Sequence, residues 1–286
     1  MAKLTDTAER AAQARPGGDM SRARAARTLL RDLRDLGEVR APRGLRALVT
    51  AQTGGVPDQF FALPTPLGAV WVAYSAEGIS AVGQEASAAE FAEYVRRMRG
   101  RLAQHTATPP ARLVASLERH LAGASATPLR LDLRGLAPFE CAVLHKALEI
   151  PWGEVRPYHW IAREIERPKA VRAVGTALAR NPIPLFIPCH RVVRGDGHIG
   201  NYGLGGRSAK QRILAAEGVD SDRLERLARA GVRYLGSDST DIFCYPTCRH
   251  ARRVTEPHLV TFRSADAARD AGYRPCKLCR PAAAAA

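Results

Sequence analysis

Two groups of residues in this 286-residue sequence have the types and spacing to do chemistry. The first is the stretch Ile187-Pro188-Cys189-His190-Arg191-Val192-Val193. A thiol is a useful nucleophile only as thiolate, so its ordinary pKa of about 8.5 must be overcome by a cationic or hydrogen-bonding neighbour. His190 is adjacent and Arg191 adds positive potential, which suits a cysteine activated by histidine, directly or through a water. The dipeptide alone is weak, because free cysteine is among the most buried residue types and a packed thiol is its commoner role. The second group is Cys244, Cys248, Cys276 and Cys279, two close pairs separated by 27 residues. This spacing fits a structural zinc ion held by four thiolates. Paired disulfides are the alternative, and they belong to oxidising compartments.

The elements that must position these groups follow from hydrophobic periodicity. Short strands are expected at Gln59–Ala62, Ala69–Ser75 and Gly78–Val82, then two amphipathic helices. One helix carries Phe91, Tyr94, Val95, Met98 and Leu102. The other starts at Pro109-Pro110 and carries Leu113, Val114, Leu117 and Leu121. A last strand is expected at Leu129–Leu133. From Pro138 the pattern is mainly helical. Pro157–Ala162 suggests a short helix, and Pro168 begins a second one running to about Ala179. Together they make a candidate helix-turn-helix, with Arg172 among the small residues Ala170, Ala173, Gly175 and Ala177 on an exposed face. A helical hairpin packed in any core would read the same way. Upstream, Ser21 caps a predicted helix through Leu36.

Composition bounds the setting. The net charge of +15 is spread unevenly. Residues 1–55 carry +5, 56–135 +1, 136–218 +5 and 219–286 +4. Such an excess suits a polyanion partner, since basic groups that neutralise phosphates release counterions. A genome-wide preference for arginine would raise the charge too, but less unevenly. No apolar run of 18 residues occurs, so no membrane span is expected. Met1–Arg10 lacks the apolar core of a secretory signal, so a cytoplasmic, nucleoid-associated protein with reduced cysteines is expected.

Beyond these physical readings, several motifs resemble one family closely. Arg172-Ala173-Val174-Gly175, Asn181-Pro182, Ile187 to Val193, Gly195–Gly197, Gly200-Asn201-Tyr202, Gly205-Gly206 and Glu217-Gly218 stand in the order of the O6-alkylguanine-DNA alkyltransferases. The resemblance covers roughly 58–218 and is highly specific over 151–218, with about one extra residue at 202–206. It implies that Cys189 accepts the alkyl group, that His190 takes its proton through a water, and that Glu217 orients the imidazolium. It further implies that Tyr158 protonates the departing guanine and that Asn181 holds the turn placing an active-site strand under the recognition helix. Arg172 and Ala173 would meet DNA at the minor groove, with Arg172 filling the gap left by a flipped base, and Tyr202 and Gly203 would line the pocket. Cys141 would be a buried packing residue.

The segment Gly236 to Cys279 is similar to the Ada-type zinc module. That resemblance implies one zinc ion on Cys244, Cys248, Cys276 and Cys279, with Cys244 also accepting methyl groups from DNA methylphosphotriesters. Here the module follows the alkyltransferase, whereas the Ada family places it first, and no AraC-type helix-turn-helix is expected with it.

The expected organisation is an N-terminal arm at 1–57, an α/β subdomain at 58–135, a DNA-binding catalytic domain at 136–218, a linker at 219–232, a zinc module at 233–281 and a tail at 282–286. By resemblance the fold class is α/β plus α. A ribonuclease H-like subdomain precedes a helical, winged-helix-like helix-turn-helix domain, and a small α+β zinc module follows. The expected activity is single-use transfer of methyl or alkyl groups from O6-alkylguanine and O4-alkylthymine in double-stranded DNA, by a monomer with zinc and no organic cofactor. Three rivals stay open: a zinc module that only holds DNA, an alkyltransferase-like protein that binds lesions without transfer, and a thiol enzyme of unrelated substrate.

Overall fold

The computed structural model describes residues 56–124 and 127–281, so the predicted helix over 21–36 and nearly all of the arm fall outside the described residues. Residues from Val56 onward form one compact unit. Its first sheet has the order β3-β2-β1-β4. Strands β1 (Asp58–Thr65), β2 (Gly68–Ser75) and β3 (Gly78–Gly83) form an antiparallel meander. Their alternating apolar residues bury one face on helix α1 (Ala88–Arg99), through Phe60, Trp71, Phe91 and Val95. Ser87 caps that helix by accepting from Glu90 N at 3.2 Å, and Gly100 ends it in the left-handed region. Leu102, expected on its apolar face, lies past that stop and is exposed.

The fourth strand is β4 (Ala103–His105), parallel to β1, rather than the expected Leu129–Leu133. The latter segment makes a single bridge, Leu131 to Ile79. Its backbone comes so close at Gly78 that a Cβ there would sit 2.2 Å from Arg130 O. Asp132 then ends the run: its buried carboxylate gathers Arg99, Arg101, Arg134 and Ser75, and accepts from Arg134 N. β4 offered no signal because three residues cannot display an alternating pattern. Helix α2 (Ala111–Leu121) packs below through Leu117.

Pro138 opens helix α3 (Pro138–Leu148), where the Glu140 side chain accepts from Ala137 N. Helices α4 (Tyr158–Glu164) and α5 (Val171–Ala179) form the hairpin, and bury Trp160, Ile161, Val174 and Leu178 against α3. Ala177 is buried in this packing, not exposed as expected. Strand β5 (Arg156–Pro157) pairs in parallel with β6 (Val192–Val193). Helix α6 (Gly206–Ala216) follows, then α7 (Ser221–Arg229).

The last part is a small sheet of order β10-β8-β7-β9, built from β7 (Tyr234–Ser237), β8 (Ile242–Cys244), β9 (Leu259–Phe262) and β10 (Arg274–Pro275), with helix α8 (Ala265–Asp270). Tyr234, Phe243, Tyr245 and all four of its cysteines belong to the same apolar cluster as Trp160 and Ile161. The cysteine region therefore shares a continuous core with the hairpin.

Candidate active site and metal centre

Cys189 sits on a 3₁₀ turn, Cys189–Arg191, immediately before β6, where an active-site strand was expected. A turn is set by local backbone bonds (Cys189 N to Ile187 O, Arg191 N to Pro188 O) that apolar patterning does not encode. Asn181, after the end of α5, fixes the approach to it. Its amide nitrogen donates to Ile187 O at 3.0 Å and to Cys189 Sγ at 3.1 Å, and its oxygen accepts from Ile183 N at 3.0 Å. Asn181 thus holds the turn and also touches the sulfur.

His190 Nε2 lies 2.8 Å from Glu217 Oε1. His190 Nδ1 is buried with no protein partner among the described residues. Glu217 ends α6, where a negative charge meets the negative end of the helix dipole. Arg191 offsets this with two bonds to the carboxylate, at 2.8 and 2.9 Å, and donates to Ile150 O at 2.7 Å. Burial alone would raise the Glu217 pKa, but the bonds from His190 and Arg191 outweigh it and hold the carboxyl at about 2. The chain at Gly153 crosses Glu217 so closely, at positive φ, that a Cβ would lie 2.8 Å from Glu217 O.

Burial pushes the Cys189 thiol up, against the hydrogen bond from Asn181 and the charge of Lys210. It pushes His190 down, against Glu217. The resting pair is therefore a neutral thiol beside a neutral imidazole, not a standing thiolate. Lys210, absent from the sequence reading, is fully buried, with Nζ donating to Val192 O at 2.6 Å and to Asn201 O at 3.4 Å. Burial lowers its pKa to about 8. It lies on the face of α6 that carries Ile213 and Leu214, an i, i+3, i+4 spacing that could have marked it as an inward lysine.

A cleft of about 340 Å³ opens at Cys189, walled by Asn181, Pro184, Gly203, Leu204, Tyr94 and Met98. Tyr94 and Met98 reach it from α1, and helical periodicity had given them only a core role. Tyr202 packs edge-on against His190, ring centroids 6.0 Å apart, while Gly203 is the one that lines the cleft. Tyr158, half-buried at the start of α4, is pushed up by burial and by the neighbouring Cys189. Its ring packs beside Gly175 on α5, at ordinary contact distance from where a Cβ there would sit. Arg172 and Ala173 are exposed in the first turn of α5. Cys141 is half-buried, its sulfur against Leu133 O and Leu136 O.

The ligand atoms of Cys244, Cys248, Cys276 and Cys279 all lie within 4.8 Å of one another, and all four residues are buried. Tetrahedral zinc with Zn–S bonds of about 2.3 Å needs sulfurs this close. The donor set therefore fits a metal ion. Of the four, only Cys244 lines a cavity of about 300 Å³, together with Ser239, Thr240, His250, Arg253 and His258.

A buried Cys–His–Glu site beneath a helical hairpin, followed by a four-cysteine centre, defines a two-part thiol protein. Residues 138–219 match the family described as 6-O-methylguanine DNA methyltransferase, DNA binding domain, and residues 224–282 match the metal binding domain of Ada. The second match starts inside α7, earlier than the module boundary expected at 233. Over 100 residues the chain is 44% identical to a methylated-DNA–protein-cysteine methyltransferase of Rattus norvegicus, covering 35% of this chain and 46% of the relative. Over 99 residues it is 46% identical to the bifunctional transcriptional activator/DNA repair enzyme Ada of Escherichia coli, covering 34% and 27%. The chain thus spans less than half the length of both curated relatives. A Mycobacterium tuberculosis OGT solved in complex with DNA is similar at 29% identity and a TM-score of 0.47, over 58% of this chain and 98% of that one.

Proposed function

We propose that this protein repairs DNA by direct reversal, moving a methyl or alkyl group from O6-alkylguanine, or O4-alkylthymine, in double-stranded DNA onto Cys189. The observation that carries the reading is the convergence on one turn of the Asn181 bond to Cys189 Sγ and the His190–Glu217 pair, behind a hairpin with Arg172 on its open face.

In the reaction His190 takes the thiol proton, through a water at Nδ1, while Glu217 stabilises the imidazolium. The sulfur attacks the alkyl carbon in line, an S–C bond forms and the C–O6 bond breaks. The guanine leaves as an anion, and Tyr158, kept protonated by burial, returns a proton to it. The target atom lies in the base stack, so the nucleotide must be extruded, with Arg172 and Ala173 of α5 at the minor groove. A thioether has no easy route back, so each molecule acts once.

The four-cysteine centre holds one zinc ion, which keeps its thiols ionised at neutral pH. Its cavity at Cys244 supports that residue as a second acceptor, for methylphosphotriesters. At the finer level, the first sheet belongs to a ribonuclease H-like subdomain and the hairpin to a winged-helix-like domain, in a monomer that works at the nucleoid. The test is intact-mass measurement after incubation with O6-methylguanine duplex. The peptide holding Cys189 gains one methyl group, and an unmodified Cys189 after full exposure sinks the proposal.

A further inference from the structure

The metal centre is bolted to the helix that carries Tyr158. Trp160, on the same helix and almost fully buried, donates from Nε1 to Cys279 O at 3.1 Å. Arg163, one turn on, donates to Arg280 O. Ahead of the helix, Val155 N donates to Thr247 Oγ1 at 2.8 Å, and Arg249 N donates to Glu154 Oε1 at 3.0 Å. The Arg156 guanidinium lies between the rings of Trp160 and Tyr245, 5.8 and 5.6 Å from their centroids. The Tyr245 hydroxyl donates to Pro281 O at 3.2 Å and meets His159 Nε2 at 3.3 Å.

These contacts fall on two stretches, 245–249 and 279–281, which flank ligand cysteines. The strands leading into them are tied by the short pairing of β8 with β10, through Arg274 N to Asp241 O and Cys276 N to Phe243 O, and the Tyr245 hydroxyl on Pro281 O links the stretches themselves. Metal–thiolate bonds are the cross-link that would hold both stretches in register. Once that register is lost, the buried Trp160 N–H and Val155 N–H lose their acceptors, a state folded proteins avoid. The cavity at Cys244 is lined only by residues 235–258, so this docking leaves it open.

We propose that the occupied metal centre is a structural requirement of the Cys189 site, with Trp160 the positioning residue that transmits it by fixing α4 and hence Tyr158. For one of its readouts the proposal rests on alkyl transfer at Cys189. The other readout does not.

The experiment compares the full chain loaded with zinc and after chelation, with the metal counted by native mass spectrometry. Hydrogen exchange over 153–165 and the single-turnover rate on O6-methylguanine duplex are both measured. Metal removal should speed exchange at 153–165 while β1–β3 stay protected, and slow transfer by about tenfold or more, the scale of losing groups that support a metal site. Trp160→Phe keeps an aromatic ring, though a smaller one, and removes the donor. It should slow transfer several-fold and, because coupling is reciprocal, release zinc faster to a chelator. A buttress that only fills space would leave zinc release unchanged. Metal-free protein with holo-like exchange over 153–165 and a holo-like rate overturns the proposal. If chelation also unprotects β1–β3, Trp160→Phe and Thr247→Val decide it with metal in place, and unchanged exchange and zinc release in both overturn it. If holoprotein transfers nothing, the reading of Cys189 fails, and the exchange data still decide the coupling.

Discussion

Glu217 serves an imidazole and a guanidinium with one carboxylate: Oε1 meets His190 Nε2 at 2.8 Å and Arg191 at 2.9 Å, while Oε2 accepts from Arg191 Nε at 2.8 Å. All three side chains are buried. Replacing one partner of such a group strands the others. Glu217→Gln should therefore cost about 3–5 kcal/mol of stability in chemical denaturation, because Arg191 keeps its charge without a counter-ion. Transfer should fall on the order of a hundredfold or more, as imidazole loses the group that stabilises its protonated form. A variant with near wild-type stability would show that the pair is not coupled as described.

The same carboxylate makes folding sensitive to acid. Its pKa is held at about 2 in the fold, below the ordinary 4.5. A group depressed on folding stabilises the native state above its unfolded pKa and loses that contribution as pH falls through the folded one. The contribution, about 3 kcal/mol at neutral pH, should fade between about 4.5 and about 2. Unfolding free energies measured from pH 7 down to 3 should drop more steeply in the native chain than in Glu217→Gln. Parallel curves would refute the assignment.

Burial raises the Cys189 thiol and lowers His190, and this predicts an unusual reactivity profile. A neutral thiol should react with iodoacetamide at pH 7 more slowly than an exposed cysteine. Transfer from lesion DNA needs His190 unprotonated. Its single-turnover rate should stay level from pH 8 down past the ordinary imidazole value of about 6.5, and fall only at lower pH. A rate that declines steadily below pH 8.5 would instead mark a free thiolate as the reactive species.

Lys210 places a buried cation within electrostatic reach of Cys189. Lys210→Met keeps the length but strips Val192 O of its donor, at a cost of about 1–3 kcal/mol. Loss of the charge should also raise the thiol pKa further, measurable as slower alkylation by iodoacetamide at pH 7, where Lys210 still carries its proton. If thiol reactivity is unchanged, the lysine only packs.

Much of this architecture could be read from residue order, for identifiable reasons. β1, β2, β3 and the two helices after them alternate or repeat over six residues or more, enough for a period to register. Cys189 and His190 stood out as an adjacent thiol and imidazole, whereas Asn181 and Glu217 were expected only from the family resemblance, and the fold brings Asn181 to the Cys189 sulfur and Glu217 to His190. What escaped depended on tertiary context. β4 is three residues paired through backbone, Leu131 makes one bridge, and Tyr94 and Met98 reach the cleft from a helix whose pattern is only amphipathic. Arg191 was read as local potential, whereas the fold turns it onto Glu217. The docking of the cysteine centre on Trp160 joins residues 119 apart, a distance at which no local pattern speaks.

The last prediction separates two uses of the four-cysteine centre. Cys244 lines a cavity with Arg253, His250 and His258, and its three companions do not. If that cavity seats a methylphosphotriester, Cys244 attacks the methyl carbon, an S–C bond forms, and the phosphodiester leaves with the oxygen. Four thiolates on zinc(II) carry a charge of about −2, and methylating one removes a unit, which should weaken repulsion from DNA phosphates. In a Cys189→Ser background, methylphosphotriester DNA should add one methyl group to the Cys244 peptide and leave the other three cysteines unmodified. Affinity for unmodified duplex should then rise, by an amount that shrinks as salt is added. Unlabelled Cys244 in a zinc-loaded protein that still retains duplex DNA would leave the centre as a holding module alone. In that case Arg253→Ala should weaken retention without any change in thiol mass.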